Sequence, residues 1–231
     1  GVPRSDGFFG KCDPKNKKNY RTRCSALIKF NDINFLIDTS PDLRQQLLAN
    51  KIKSINKIFY THLHADQTHG INDLRPFFLT TNKQIPVYAD KRTSNYLYST
   101  FKYCFKSSYG YPSTLSLNKL KKKHTFLNQN KRITIQSIPV QHGKIKSICY
   151  LINNKLAYAS DISLFNNQDY KLLINLDYLV IDCLWYKKHP AHFNLIEVQE
   201  IVKKINPKKT ILTNMHNDLD YNKLLKILPN N

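Results

Sequence analysis

Apolar positions along this chain fall in short runs separated by polar joints rich in Asn and Lys. Leu27 to Asp38 reads as two strand-like runs joined at Asn31-Asp32. Asp42 to Asn50 reads as a helix, with Pro41 at its start and Leu43, Leu47 and Leu48 on one face. Lys57 to Tyr60 is a short strand. Ile133 to Val140, Ser147 to Ile152 and Leu156 to Ala159 are three more. The pattern then changes. Leu164 to Leu176 reads as a helix, Tyr178 to Asp182 as a buried strand, and Leu195 to Ile205 as a helix. Thr210 to Leu212 is a strand and Tyr221 to Leu228 a last helix. Strand pairs followed by strand–helix alternation predict a layered α/β protein with mixed sheets. Lys91 to Lys123 is the least regular stretch, rich in Tyr, Ser and Lys, and reads as an insertion lying over a site.

Composition narrows this picture. The chain has 231 residues, 41% hydrophobic and 23% charged, which fits one folded domain spanning residues 1–231. The longest apolar stretch, Leu172 to Trp185, is interrupted by Asp177 and Asp182 and predicts no membrane span. No basic-then-apolar leader follows Gly1, so no signal peptide is expected. Five scattered cysteines form no CxxC pair, which argues against a disulfide scaffold and for a reducing cytoplasm. The net charge is +20 and the pI about 9.7. A polyanionic partner such as RNA, DNA or a phosphate ester would account for it, and so would Lys-rich solvated faces. The basic runs at Lys11 to Arg23, Lys119 to Lys123 and Lys203 to Lys209 lack the interleaved aromatics of a stacking platform.

Candidate chemistry concentrates in residues 61–70, Thr-His-Leu-His-Ala-Asp-Gln-Thr-His-Gly. Imidazole and carboxylate are the usual ligands for zinc and manganese. His62 and His64, two apart, can point the same way from an extended segment, and Asp66 can reach a second ion beside the first. Other candidates also stand just beyond strand-like runs: Asp38, His142, Asp161 and His216. Strand ends open onto the sheet edge where ligand crevices form in α/β folds. Taken alone, His142 and His216 read as capping or core residues and Asp38 and Asp161 as cap or turn residues; beside the first cluster, His142, Asp161 and His216 read as further ligands. His124 has no such context and reads as a surface residue.

The order of these residues resembles the metallo-β-lactamase superfamily, whose pattern is Asp at a strand end, HxHxDH, a distant His, a distant Asp and a final His. Here they are Asp38; His62, His64, Asp66 and Gln67; His142; Asp161; and His216. Flanking segments resemble its cyclic phosphodiesterase branch, typified by the phosphoribosyl cyclic phosphate phosphodiesterase. They include Asp38-Thr39-Ser40-Pro41-Asp42, His69-Gly70-Ile71-Asn72-Asp73-Leu74-Arg75, His189-Pro190-Ala191-His192-Phe193 and Met215-His216-Asn217-Asp218.

The resemblance implies a four-layer αββα sandwich with two mixed sheets. It implies two divalent metal ions, Zn2+ or Mn2+. His62, His64, His142 and Asp161 would hold the first, and Asp66, Asp161 and His216 the second. Asp38 would orient the cluster through hydrogen bonds. Asp66 and His192 would be catalytic, His192 as the proton donor to the leaving oxygen, although a helix-entry role fits His192 equally. Gln67 stands where the family has a histidine, so it is a weak, neutral ligand and the second ion should be labile. The expected activity is hydrolysis of a cyclic or nucleotide-like phosphodiester by a metal-bound hydroxide. The alternatives are a tRNA 3′-end processing endonuclease and a non-catalytic nucleic-acid-binding relative. The expected partners are a phosphate-ester substrate, with nucleic acid and a homodimer as further options.

Overall fold

The run from Leu27 to Asp38 folds as its turn residues predict. β1 (Ala26–Phe30) and β2 (Ile33–Ile37) pair antiparallel across Asn31, whose φ of 49° is one that Asn tolerates. The computed structural model describes residues 1–229; Asn230 and Asn231, within the range expected for the single domain, lie outside the described residues. Two units form. A middle unit covers Arg23–Ile133, and a split unit joins Gly1–Thr22 to the chain from Thr134 onward.

In the middle unit the chain continues through α1 (Leu43–Ala49), β3 (Lys57–Phe59), α2 (Ala65–Thr68), a 3-10 turn (Ile71–Leu74) and α3 (Arg75–Thr81). It then runs through β4 (Ile85–Ala89), α4 (Lys91–Thr100), α5 (Lys102–Phe105), β5 (Leu115–Lys119) and β6 (Lys123–Asn128). One sheet has the order β1-β2-β3-β4-β5, antiparallel at its first pair and parallel afterwards. The strands are apolar nearly throughout because both faces are covered. Leu36, Ile58, Val87 and Leu115 share a core with the helical Leu43, Leu47 and Leu97. Their neighbours Phe35, Phe59 and Tyr88 alternate to the other face, where Phe59 stacks on Tyr88 at 4.7 Å and Phe35 meets Phe126 at 5.2 Å.

The split unit contains β7 (Lys131–His142, its first three residues lying in the middle unit), β8 (Ile145–Ile152), β9 (Leu156–Ala159), α6 (Asn167–Leu172) and β10 (Tyr178–Asp182). It ends with α7 (Leu195–Ile205), β11 (Lys209–Thr213) and α8 (Tyr221–Ile227). Its strands lie in the order β11-β10-β9-β8-β7, parallel on the first side and antiparallel on the second. α7 shows why these helices form. Asn194 and Glu197 close a reciprocal capping box at its start, and Leu195, Val198, Ile201 and Ile205 make a buried face. Each such side chain contributes about 1.5–3 kcal/mol, so the face outweighs a cap worth ~1 kcal/mol. Two mixed sheets flanked by helices are thus present, as the alternation predicts.

Several local expectations differ. Leu48 is 63% exposed and leaves the face shared by Leu43 and Leu47. The helix expected over Leu164 to Leu176 shrinks to α6. Ser163 and Leu164 are drawn into backbone bonds with Gln141, and Asn166 caps the helix with Asp169. Lys91 to Lys123 is not irregular: it forms α4, α5 and β5. Its polar exposed faces hide a sparse buried row of Thr93, Leu97, Phe101 and Cys104. β4, interrupted by Pro86, and α3, with Pro76 in its first turn, carry too little periodicity to be read. His124 is buried, not on the surface. Its ring lies parallel to Phe126 and edge-on to Phe59, and its Nε2 accepts from the Lys121 N–H.

Candidate metal centre

In the middle unit, β2 and β3 end side by side and deliver Asp38 and His62 from adjacent strand ends. Asp38 sits at φ 60°, its N–H bonded to the Phe59 carbonyl, and is fully buried. Its carboxylate accepts from the Thr61 N–H at 2.7 Å and from the Thr61 hydroxyl at 2.8 Å. Because that hydroxyl spends its proton on Asp38, the 3.1 Å contact between Thr61 Oγ1 and His62 Nδ1 needs the proton on Nδ1. The lone pair of His62 is then on Nε2, which lies 2.9 Å from His64 Nδ1. Two imidazole nitrogens meeting edge to edge, one with its tautomer fixed from behind, are arranged as ligands to one cation are.

The segment after them is pinned tightly. α2 follows His64, whose carbonyl accepts from the Thr68 hydroxyl, and carries Asp66 in its first turn. The Thr39 N–H bonds the Gln67 carbonyl, and the Gly70 N–H bonds the Thr39 carbonyl. A side chain at Gly70 would put Cβ 2.0 Å from the Ser40 carbonyl oxygen, so only glycine closes this loop. Gln67 is completely buried, while His69 turns away to the Tyr96 hydroxyl at 3.0 Å. Tyr60, buried beneath, bonds Thr39, and burial pushes its phenol far up.

The split unit builds a second set at the ends of β7, β9 and β10. His142, Asp161 and His192 each offer one donor atom, all within 4.8 Å of one another. His142 Nδ1 donates to the Ala191 carbonyl at 2.7 Å, leaving its Nε2 lone pair for a ligand. Gly143 allows this approach: a Cβ there would stand 2.9 Å from that of Ala191. His192 Nδ1 bonds the Asp182 carboxylate at 2.6 Å, and the same oxygen accepts from the Ile162 N–H. Burial first, and then the charge of Asp161, raises the Asp182 carboxyl well above the usual range. The 2.6 Å bond to Asp182 fixes the orientation of the His192 ring. His189 lies against His192, and burial and then the neighbouring imidazoles lower its pKa.

His216 follows β11 and is not among the three converging donors. Its Nδ1 accepts from the Asp218 N–H at 3.2 Å, beside Trp185, whose indole N–H donates to Asp218. Two residues escaped the sequence reading. Asp182 was visible only as a charge interrupting an apolar run, although it ends a strand just as Asp161 follows one. Thr61 stands between strand and ligand and has no signal of its own. None of the five cysteines is in a disulfide, and burial pushes Cys104 up to about 11 and Cys183 up to about 12, so neither of these two is a ready thiolate. No helix among the described residues is long and apolar enough to cross a membrane.

Residues 33–215 match the family model described as the beta-lactamase superfamily domain. The octanoyltransferase of Porphyromonas gingivalis (strain ATCC BAA-308 / W83) is 28% identical over 233 residues, covering 99% of this chain and 46% of that protein. The chain therefore spans about half the length of the curated relative it matches. Among solved structures, a diphosphatase of the PhnP family is 30% identical, with a TM-score of 0.82 over 92% of this chain and 80% of its own. The short form of human tRNase Z is 16% identical, with a TM-score of 0.67 over 93% and 92%. At that identity the likeness is one of fold.

Proposed function

The chain belongs to the beta-lactamase superfamily, and we propose that it works as a metal-dependent hydrolase whose substrate is a cyclic or nucleotide-like phosphodiester. The observation that carries this reading is the His62–His64 pair, two nitrogens 2.9 Å apart with the outer nitrogen of His62 tied through Thr61 to Asp38. The likeness to a PhnP-family diphosphatase supports a phosphorus centre. His62, His64 and Asp66 in one unit, and His142, Asp161 and His216 in the other, are the residues we assign to two divalent ions, Zn2+ or Mn2+. Such ions supply Lewis-acid polarisation of the phosphoryl group and activation of water. His192, oriented by Asp182, gives the leaving oxygen its proton from Nε2, and the carboxyl behind it steadies the charged ring before transfer. Gln67, buried and neutral, makes the second ion the looser of the two.

Metal content and turnover test this together. Protein purified without added metal should hold one tightly bound ion per chain and a second that dialysis removes. Replacing His62 or His142 with Ala should lower bound metal and abolish hydrolysis of bis(p-nitrophenyl) phosphate by at least a hundredfold. Full activity in a metal-free preparation would sink the hydrolase reading. Tight, equal occupancy by two zinc ions would sink the role given to Gln67. A second reading, processing of tRNA 3′ ends, draws support from the net charge of +20. Comparing a small cyclic phosphodiester, a dinucleoside diphosphate and a precursor tRNA as substrates separates these readings.

A further inference from the structure

The middle unit carries a pocket of about 470 Å³, lined by none of the donors described above, between the 3-10 turn at Ile71–Leu74 and the chain around α5. Asn72, Arg75, Tyr103, Lys106, Tyr109 and Tyr111 line it. Three features set it apart from an ordinary surface dent.

Its charge is of one sign. From Lys91 to Arg132 the sequence has ten Lys and Arg and no Asp or Glu. Among the described residues neither Arg75 nor Lys106 is in an ion pair.

Its aromatic rings are left in water. Tyr103, Tyr109 and Tyr111 are 59%, 99% and 64% exposed. Three such rings beside one pocket leave apolar faces in contact with solvent that a planar ligand could cover.

Its shape is built. Ser108 and Tyr111 exchange both backbone hydrogen bonds around Tyr109 and Gly110, both at positive φ, which makes a tight hairpin turn. The turn is tethered below by the Ser113 N–H to Ser107 Oγ and by the Thr114 N–H to the Cys104 carbonyl. The Tyr103 hydroxyl donates to the Asn72 side chain, and Arg75 lies 5.6 Å from the centre of the Tyr111 ring.

Cations beside exposed aromatic rings, with no acidic residue among them, are the combination that binds single-stranded nucleic acid: phosphate on the cation, base on the ring. We infer that this pocket is a nucleotide-binding site, with a base stacked on Tyr109 or Tyr111 and phosphate held by Arg75 and Lys106. The site does not depend on the hydrolase reading, since it uses none of the metal-centre residues. The tyrosines lie between the basic runs in sequence, and the fold sets Arg75 beside them.

The test is equilibrium binding to the full chain by fluorescence anisotropy, using a labelled 2′-O-methyl RNA 12-mer that resists hydrolysis. Unlabelled AMP and inorganic polyphosphate serve as competitors. Tyr109→Ala with Tyr111→Ala should weaken the 12-mer at least tenfold, in line with about 1–3 kcal/mol per stacked base. Tyr109→Phe with Tyr111→Phe should leave it within twofold, because the ring faces remain. Arg75→Gln should weaken it and lessen its salt dependence. If AMP competes as well per site as the 12-mer, and with the same tyrosine dependence, the source is a free nucleotide. If the 12-mer binds a hundredfold tighter, the source is a strand. Equal affinity of the alanine and parent proteins for both probes, or polyphosphate matching the 12-mer with no tyrosine dependence, would overturn the proposal. In a His62→Ala background the tyrosine substitutions should weaken the 12-mer by the same factor as in the parent, which separates this outcome from failure of the metal reading.

Discussion

At the scale of residues, the relay from Asp38 through Thr61 to His62 is the part of the site that repays the closest look. Thr61 decides which nitrogen of His62 carries hydrogen, and so which can face a cation. Thr61→Val keeps the volume and the backbone N–H bond to Asp38 but removes the hydroxyl. Partners of this kind typically account for ten- to a hundredfold of metal affinity. We expect Thr61→Val to weaken zinc by about that much in a chelator competition, and Thr61→Ser to restore it. If Val binds zinc as tightly as Thr, the relay does not set the tautomer. The histidines and aspartates of the candidate site were legible in the sequence because they cluster or stand at strand ends. Thr61 was not, because its importance comes from which atoms its hydroxyl can reach. Asp182 was half-legible: its position was plain, but its partner His192 becomes apparent only once the loop between them folds back.

Among the elements, β6 carries the clearest misreading. Its burial alternates position by position, but the sequence Lys-His-Thr-Phe-Leu-Asn does not show it, so His124 looked like a surface residue in a lysine run. Packing decides otherwise: the ring is enclosed by Phe59, Tyr88 and Phe126. Burial first, and then the charge of Lys121, lowers its pKa below the ordinary value near 6.5. The unfolded chain therefore takes up a proton at a pH where the folded one does not. Stability from this group is complete above about pH 6.5 and declines as pH falls through the lower, folded value. Urea unfolding should lose up to about 1.4 kcal/mol per pH unit from this group within that window. His124→Gln retains a hydrogen-bond acceptor without titrating and should flatten the dependence. Identical pH slopes in the two proteins would refute the assignment. The strands with continuous apolar runs, β2, β3 and β10, were read correctly for the opposite reason, since covered faces leave little room for polar residues. The helices between Lys91 and Phe105 were missed because only a few of their residues touch the core.

On the scale of the whole molecule, the split unit is closed by contacts between residues 2–21 and residues 216–220. The first segment pairs Val2 with Arg21. The Arg21 guanidinium donates to the carbonyls of Leu219 at 2.9 Å and His216 at 3.1 Å. The backbone N–H groups of Lys11 and Cys12 both bond the Asn217 carbonyl, and Asn19 bonds the Asp220 carboxylate at 2.7 Å. The loop bearing His216 is thus held largely by residues two hundred positions earlier. Arg21→Ala removes two charge-assisted bonds and should cost about 2 kcal/mol of stability. Amide hydrogen exchange should also quicken between His216 and Asp220; unchanged protection there would contradict this account. During synthesis the same arrangement imposes an order. Residues 23–133 contain every strand of their own five-stranded sheet and are synthesised before residues 134–229. Residues 1–22 emerge before that sheet but must wait for Asn217 to Asp220, some two hundred positions later, before they find their place.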